Sequence, residues 1–349
     1  MASIQHYNEI IHAFLSDNNF RTIPKNPTSY DHRTNQKALQ QCDRIIDRKQ
    51  IEFLTQKNPI PPTLNALLKL HKPDIPIRPV VNNRNSPTHK TARRLNTILN
   101  NRYNTINSNT LANEMVKPKI NSHHRLLTLD IKDLYVNVPI QEMLNLTRTQ
   151  LRIHKDKQNT HQIMTLLDNI LTQNYFSSLA RVYQPDKGVA MGSPILGTMA
   201  EVFLQQLENI IIKHLIDAKT LSFYTRYVDD FFLIYDSTRT NPDNILQYID
   251  IIHSSIQFNP TIESNNYVNF LDLSITRGPT CLGISIFCKP TSTDTTINFL
   301  SNHLLEYKMA AYRFLIRRML SLPLDKEQQY KEWQHILHTA HSNKIPQPY

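Results

Sequence analysis

Hydrophobic and polar positions recur along the chain with two periods, one typical of helices and the other of strands. Apolar residues return at helical spacing from Tyr7 to Leu15 and from Ile45 to Leu54, so residues 1–57 are predicted to be mainly helical. Further helices are predicted in residues 88–116, 141–171 and 242–254, from about His303 onward, and within 188–212 after a glycine-rich turn.

Extended segments lie between these helices. Residues 125–130 predict a buried strand that ends in a carboxylate, and residues 223–235 predict a hairpin rich in aromatic and β-branched side chains. Prolines in residues 75–81 exclude a helix and favour an edge strand. A strand at 175–183 and two strand pairs within 256–289 are also predicted. Together these elements predict an α+β fold.

Composition and net charge indicate the kind of partner and the cellular compartment of the protein. The 349 residues are 40% hydrophobic, which allows more than one subdomain, and the net charge of +10 favours a polyanion such as nucleic acid over a merely solvated surface. The cysteines, Cys42, Cys281 and Cys288, fit no zinc spacing and indicate a reduced, intracellular protein, with Cys281 and Cys288 predicted to be buried. We find no signal peptide or membrane-spanning run, so no membrane association is expected.

The adjacent carboxylates Asp229 and Asp230 lie at the predicted tip of the 223–235 hairpin. Two anions in an otherwise apolar hairpin repel each other and lose solvation, and a divalent cation would relieve that cost. Asp130 ends another hydrophobic strand. If the two strands are neighbours in one antiparallel sheet, carboxylates from both can bridge two metal ions about 4 Å apart.

Glycine is scarce, with five in the chain, yet Gly188, Gly192 and Gly197 fall within ten residues. Such a cluster is typical of a backbone that approaches a ligand closely. An ordinary loop before a tightly packed helix would need the same residues, and the glycines alone do not separate the two interpretations.

Three segments, in order, resemble the motifs of reverse transcriptases. Leu129-Asp-Ile-Lys-Asp-Leu-Tyr-Val-Asn-Val-Pro139 resembles motif A, Gly188-Val-Ala-Met-Gly-Ser-Pro194 resembles motif B, and Tyr227-Val-Asp-Asp230 is similar to motif C. The segment Lys69-Leu-His-Lys-Pro-Asp-Ile-Pro-Ile-Arg-Pro-Val80 resembles the fingers motif of the Penelope-like retroelement group. Further segments similar to that group are Leu15–Thr28, Asn269–Ile275, Lys289–Asp294 and Ser301–His303, so the resemblance spans nearly the whole chain.

The resemblance implies a right-hand polymerase with fingers, an antiparallel-sheet palm and a partial helical thumb. Residues 1–122 would form N-terminal helices and fingers, 123–290 the palm, and 291–349 the start of the thumb. The implied partners are an RNA template, a DNA primer and dNTPs, the implied cofactor is a pair of Mg²⁺ ions with Mn²⁺ as a substitute, and the implied location is the nucleus.

The resemblance also assigns metal ligands. Asp130 and Asp229 would bridge the ions, the backbone carbonyl of Ile131 would add an oxygen, and Asp230 would complete the triad. For Asp230 the alternative is an acid that stabilises the turn without touching metal.

Nucleotide contacts follow by the same resemblance. Arg78 would clamp the triphosphate with Lys72 assisting, although Lys72 is equally compatible with a solvated surface lysine. Tyr135, where relatives often carry Phe, would exclude a ribose 2′-hydroxyl, with a core tyrosine as the alternative. Gly188, Gly192 and Ser193 would let the backbone approach the template base and the nucleotide.

Primer and duplex contacts complete the set. Phe270 and Leu271 would lie in a hairpin that grips the primer end, although core packing would select the same residues. Arg313, Arg317 and Arg318, about one turn apart on a basic face, would track the duplex backbone, with a solvated helix face as the alternative.

The chain departs from the group in one respect and leaves two rivals open. It ends at Tyr349 without a Gly-Ile-Tyr endonuclease signature, so a shortened thumb without that endonuclease is expected. One rival is a nucleic-acid-binding remnant that keeps the fold without turnover. The other is a polymerase of another branch, such as a group II intron or telomerase-like enzyme. The resemblance of residues 69–80 to the Penelope-like fingers motif argues against this second rival.

Overall fold

The computed structural model describes residues 4–17, 20–68, 77–100, 108–132, 134–185, 192–253 and 256–346. The helices are α1 (Ile4–Asp17), α2 (Thr28–Gln40), α3 (Arg48–Leu54), α4 (His89–Asn100), α5 (Ser108–Met115), α6 (Leu134–Asn137), α7 (Ile140–His154), α8 (Lys157–Thr172), α9 (Leu196–Leu207), α10 (Lys213–Asp217), α11 (Pro242–Ile252), α12 (Leu305–Ser321) and α13 (Lys326–Ser342), with a π-helical segment at Glu208–Ile212. The strands are β1 (Phe20–Ile23), β2 (Thr63–Leu68), β3 (Ile77–Asn82), β4 (His124–Ile131), β5 (Phe176–Ser178), β6 (Arg181–Pro185), β7 (Leu221–Tyr227), β8 (Asp230–Asp236), β9 (Phe258–Ile262), β10 (Tyr267–Phe270), β11 (Leu273–Arg277) and β12 (Leu282–Ile286). The fold is therefore mixed α+β, as predicted.

The chain divides into two compact units. The first unit contains residues 1–104, 132–210 and 253–256, and the second contains residues 105–131, 211–252 and 257–349. Both units are assembled from separate stretches of chain, a division that local patterns in the sequence do not reveal.

The first unit carries a sheet of strand order β1-β6-β5-β2-β3, antiparallel except for the β2–β5 pair. β3 lies at the edge, which confirms the prediction from its prolines, since Pro79 has no N–H to donate to a further strand. Phe176 and Tyr183 stack at 5.8 Å between ring centroids in the core of this sheet. β1 was not predicted, because its four residues do not alternate and its partner β6 lies far away in sequence.

The second unit is built on a sheet of strand order β7-β8-β4-β9, all antiparallel. β4 is central and apolar through Leu126, Leu127 and Leu129, which confirms the predicted buried strand. β10, β11 and β12 form a second antiparallel sheet, and its buried side chains share a core with those of β4, β8 and α5. The strand pairs predicted within 256–289 are therefore wrong in one respect, because β9 joins the β4 sheet and only the other three strands pair together.

The last two helices, α12 and α13, pack on each other within the second unit. The side chain of Asp325 caps α13 by accepting a hydrogen bond from the backbone N–H of Gln328 at 2.7 Å. Arg318 donates to Glu332 at 2.9 Å, and both side chains are largely buried. These contacts fix the helix pair that the sequence predicted from about His303 onward.

Two of the cysteines are not where the sequence placed them. Cys281 and Cys288 are exposed, whereas Cys42 is buried, so the prediction that both hairpin cysteines are core residues is wrong. Cys281 precedes β12 and Cys288 follows it, and neither takes part in the strand's alternation between core and solvent.

Within the described ranges, no helix combines the length and apolar character that a bilayer span requires.

Candidate active site

The hairpin of β7 and β8 places the acidic pair at its tip. Its two loop residues are Val228 and Asp229, and Asp230 begins β8. Val228 has φ +55, a left-handed conformation that a β-branched residue rarely adopts. The favoured two-residue hairpin turns, types I′ and II′, have positive φ at their first position, and Val228 adopts this strained conformation in the tight turn. Arg226 stabilises the turn by donating to the backbone oxygen of Val228 at 2.9 Å.

Asp130 lies directly opposite Asp230 in the register of β4 and β8. Residues paired in this way have Cα atoms about 4.5–5.5 Å apart and side chains on the same face of the sheet, so the two carboxylates lie together at the adjoining ends of β4 and β8, here called the acidic edge. The N–H of Ile131 donates to the backbone oxygen of Asp229 at 3.2 Å and thereby ties the hairpin tip to the end of β4. The expected neighbourhood of the Asp130 strand and the acidic hairpin is confirmed.

The clustered negative charge changes the pKa of Asp230. Burial, then the carboxylates of Asp229 and Asp130, raise the pKa of Asp230 to about 6, and Lys289 partly opposes them. Like charges directly across a strand pair destabilise a sheet. The three carboxylates therefore place clustered negative charge at the adjoining ends of β4 and β8, and Lys289 opposes part of it at Asp230.

Hard oxygen donors of this kind suit Mg²⁺ and also accept Mn²⁺. Among the described residues, however, no three His, Cys, Asp or Glu side chains form a ready-made metal cluster. Mg²⁺ is commonly bound through one or two carboxylates together with substrate phosphates, without a full protein cage. The donor set fits a divalent ion whose coordination is completed by a phosphorylated ligand.

The residues expected to contact the nucleotide belong to the first unit. Arg78 is exposed on edge strand β3, and Tyr135 is half-buried in α6. Ser193 precedes α9, and its backbone oxygen accepts from the N–H of Leu196 at 3.1 Å. Lys72 and Gly188 lie outside the described residues.

Gly192 has a specific packing reason to be glycine. Its φ is +119, and a Cβ at this position would lie 2.0 Å from the backbone oxygen of Val81 on β3. The backbone before α9 thus approaches the strand that carries Arg78. The close approach at Gly192 is between two segments of the protein backbone, which is what the interpretation as an ordinary loop before a packed helix allows.

Phe270 and Leu271 lie in a hairpin, as predicted, in which Tyr267–Phe270 pairs with Leu273–Arg277 and Leu271 and Asp272 form the turn. Leu271 has φ +56 at the tip. Phe270 is only 3% exposed and packs against Phe232 of β8 at 5.6 Å between ring centroids. Phe270 therefore packs in the core, which the sequence allowed as an alternative. Leu271 is partly buried and packs against the same core.

The arginines of α12 divide by environment. Arg313 and Arg317 are exposed, whereas Arg318 pairs with Glu332 and lies 3.9 Å from Asp272 in the hairpin turn. Exposed arginines remain available to phosphates, and the pairing of Arg318 connects α12 to the turn that carries Leu271.

Sequence reasoning missed Lys289 as part of the site. It follows β12 in an exposed segment, and its charge favours the anionic form of Asp230. The Lys289–Asp294 segment resembles a family motif, but the sequence predicted no role for Lys289 itself. Lys289 comes near the acidic edge because the β10–β12 sheet and the β4 sheet share one core. No local signal encodes that contact.

The sequence of residues 70–258 matches the family model described as "Reverse transcriptase (RNA-dependent DNA polymerase)", which covers more than half of the chain. The chain belongs to the reverse transcriptase family. A search of curated proteins gave no match to this reverse transcriptase.

Solved structures show the same fold for this reverse transcriptase at low sequence identity. Telomerase from Candida albicans, in complex with a TWJ fragment of telomeric RNA, aligns over 97% of this chain and 60% of its own with a TM-score of 0.60 and 11% identity. Apo telomerase from Candida tropicalis aligns over 97% of this chain and 62% of its own with a TM-score of 0.54 and 12% identity. The chain thus spans about three-fifths of the length of these structures and shares their polymerase fold.

Proposed function

We propose that this reverse transcriptase is an active RNA-directed DNA polymerase, which extends a DNA 3′ end with deoxynucleoside triphosphates on an RNA template. The observation that carries the proposal is the register of β4 and β8, with Asp130 opposite Asp230 and Asp229 at the adjoining tip. Family membership and the fold shared with telomerases support the reaction class.

In this proposal Asp130 and Asp229 hold divalent ions, with the carbonyl of Ile131 as a further ligand and Asp230 completing the triad. When bound, two Mg²⁺ ions, or Mn²⁺, supply Lewis-acid activation of the primer 3′-hydroxyl and neutralise charge on the leaving pyrophosphate. The raised pKa of Asp230 supports this assignment, because a site with surplus negative charge gains from a bound cation. Lys289 offsets part of that charge.

The residues of the first unit would bind and select the nucleotide. Arg78, with Lys72, would hold the triphosphate through its planar guanidinium. Tyr135 would exclude a ribose 2′-hydroxyl by steric contact. Gly188, Gly192 and Ser193 would present backbone to the nucleotide and the template base, and the clash that any side chain at 192 would make supports the requirement for glycine there.

The duplex would be held by residues of the second unit. Leu271 at its hairpin tip, supported by Phe270, would contact the primer end, and Arg313 and Arg317 would contact phosphates. We also propose the fingers, palm and partial-thumb boundaries at residues 122 and 290, a nuclear location, and an origin in a Penelope-like retroelement, which the segment at 69–80 supports.

The substitution Asp229→Asn tests the assigned site. Even outer partners of metal ligands cost about 10–100-fold in activity, so loss of a direct ligand is expected to lower dNTP incorporation by more than about 100-fold. Asp250→Asn is the matched control, because Asp250 is an exposed carboxylate in α11 of the same unit. Incorporation is measured on a primed RNA template, with circular dichroism and RNA binding as folding checks.

Retained incorporation in Asp229→Asn would refute the site. Equal loss in both variants would show that the carboxylate position is irrelevant. An inactive wild-type protein that still binds RNA would favour the remnant without turnover.

A further inference from the structure

A basic cleft of about 670 Å³ lies along α7 and α8 in the first unit. We name it by six of its lining residues, Arg148, Arg152, Lys155, Lys157, Thr160 and Asp168. None of them belongs to the set assigned to polymerisation. Arg148 and Arg152 are one turn apart on α7, which brings their Cβ atoms to about 6 Å.

Charge in the basic cleft is largely uncompensated. Four cations face a single carboxylate, Asp168, and none of the four forms an ion pair within the described residues. The nearby acids are engaged elsewhere. Asp156 caps α8 and pairs with Arg44, and Asp43 accepts from Gln162 at 2.7 Å.

We propose that the basic cleft binds a single strand of RNA through its phosphates. The guanidinium groups of Arg148 and Arg152 suit paired contacts with phosphate oxygens, and Lys155 and Lys157 add positive charge beside them. The described lining contains no Phe, Tyr or Trp, so the bases have no aromatic platform and binding is independent of sequence. A protein partner would need apolar anchors at the centre of its interface, for which the lining offers only Met164.

The test removes two cleft charges in the double variant Arg148→Gln/Arg152→Gln. Its control is Arg33→Gln/Lys37→Gln, which changes the charge equally at the same i, i+4 spacing on exposed positions of α2 outside the cleft. Binding of fluorescein-labelled polyuridine RNA is followed by anisotropy over a range of salt. Two lost phosphate contacts should weaken binding about tenfold at physiological salt and lower the slope of log K against log salt by about 1.4.

Incorporation of one nucleotide on a short annealed primer–template should be unchanged in both variants, so binding in the cleft is judged independently of polymerase activity.

Equal effects of the cleft variant and its control would overturn the proposal, because net charge alone would then explain binding. Unchanged RNA binding in the cleft variant would also overturn it. If polyglutamate competes with RNA as well as unlabelled polyuridine does, and its binding is lost in the cleft variant, the cleft is a site for an acidic protein.

Discussion

At Asp230, burial and the neighbouring carboxylates of Asp229 and Asp130 together raise the pKa to about 6. The sequence predicted the acidic pair, its turn and its metal chemistry, because two carboxylates between apolar runs are visible without a structure. It did not predict Lys289, and it left the packing of Phe270 in the core as an alternative to a primer contact. Both depend on how the β10–β12 sheet packs against β8, which is a contact between segments distant in sequence.

The raised pKa of Asp230 makes stability depend on pH. In the folded protein the pKa is about 6, compared with an ordinary value of 3.8, so the folded state binds the proton more tightly. This contribution to stability is fully present below pH 3.8 and is lost as pH rises through about 6. Asp230→Asn should therefore raise the thermal midpoint at pH 7 and leave it nearly unchanged at pH 3.5–4.

Thermal unfolding with a chelator present measures this difference. Asp31 titrates in the same range, because burial raises its pKa to about 6, so the informative quantity is the variant minus the wild type. Asp250→Asn should show no such pH-dependent difference. A midpoint of Asp230→Asn that stays at the wild-type value at pH 7 would contradict the electrostatic account.

The elements that carry the site were mostly predictable. Continuous apolar runs and period-two segments predicted β4 and the β7–β8 hairpin, and prolines predicted the edge position of β3. β1 and the division of the later strands between two sheets were missed, since pairing over long sequence separation leaves no local pattern. Strain at Val228 likewise follows from the two-residue turn and not from the residue's own preference.

Gly192 gives a prediction at the scale of the β3–α9 contact. Gly192→Ala puts a Cβ 2.0 Å from the Val81 carbonyl oxygen at φ +119, so it should destabilise the protein by about 1–3 kcal/mol or more. Gly197→Ala is the control, because nothing lies within 4 Å of its Cβ and alanine favours a helix by up to about 1 kcal/mol. Urea unfolding of both variants measures the two effects, and a neutral Gly192→Ala would show that this close approach is not required.

The second unit carries the acidic residues Asp130, Asp229 and Asp230, and the first unit carries Arg78, Tyr135 and Gly192. Sequence alone identified the reverse transcriptase family and the α+β fold class, and both are confirmed, whereas the assignment to the Penelope-like group stays a prediction. The sequence did not predict the division into two units, because each unit is assembled from stretches that are separated by other parts of the chain. The net charge of +10 suits a polymerase whose template and product are both polyanions.

Primer extension on RNA tests the central claim most directly. Purified protein is incubated with dTTP, Mg²⁺ and an oligo(dT) primer annealed to poly(A) RNA, and products are resolved by length. The account predicts extension that requires the RNA template, stops on chelation of the metal and is lost in Asp229→Asn but kept in Asp250→Asn. Protein that is folded and binds the primed RNA, yet adds no nucleotide with Mg²⁺ or Mn²⁺, would contradict it.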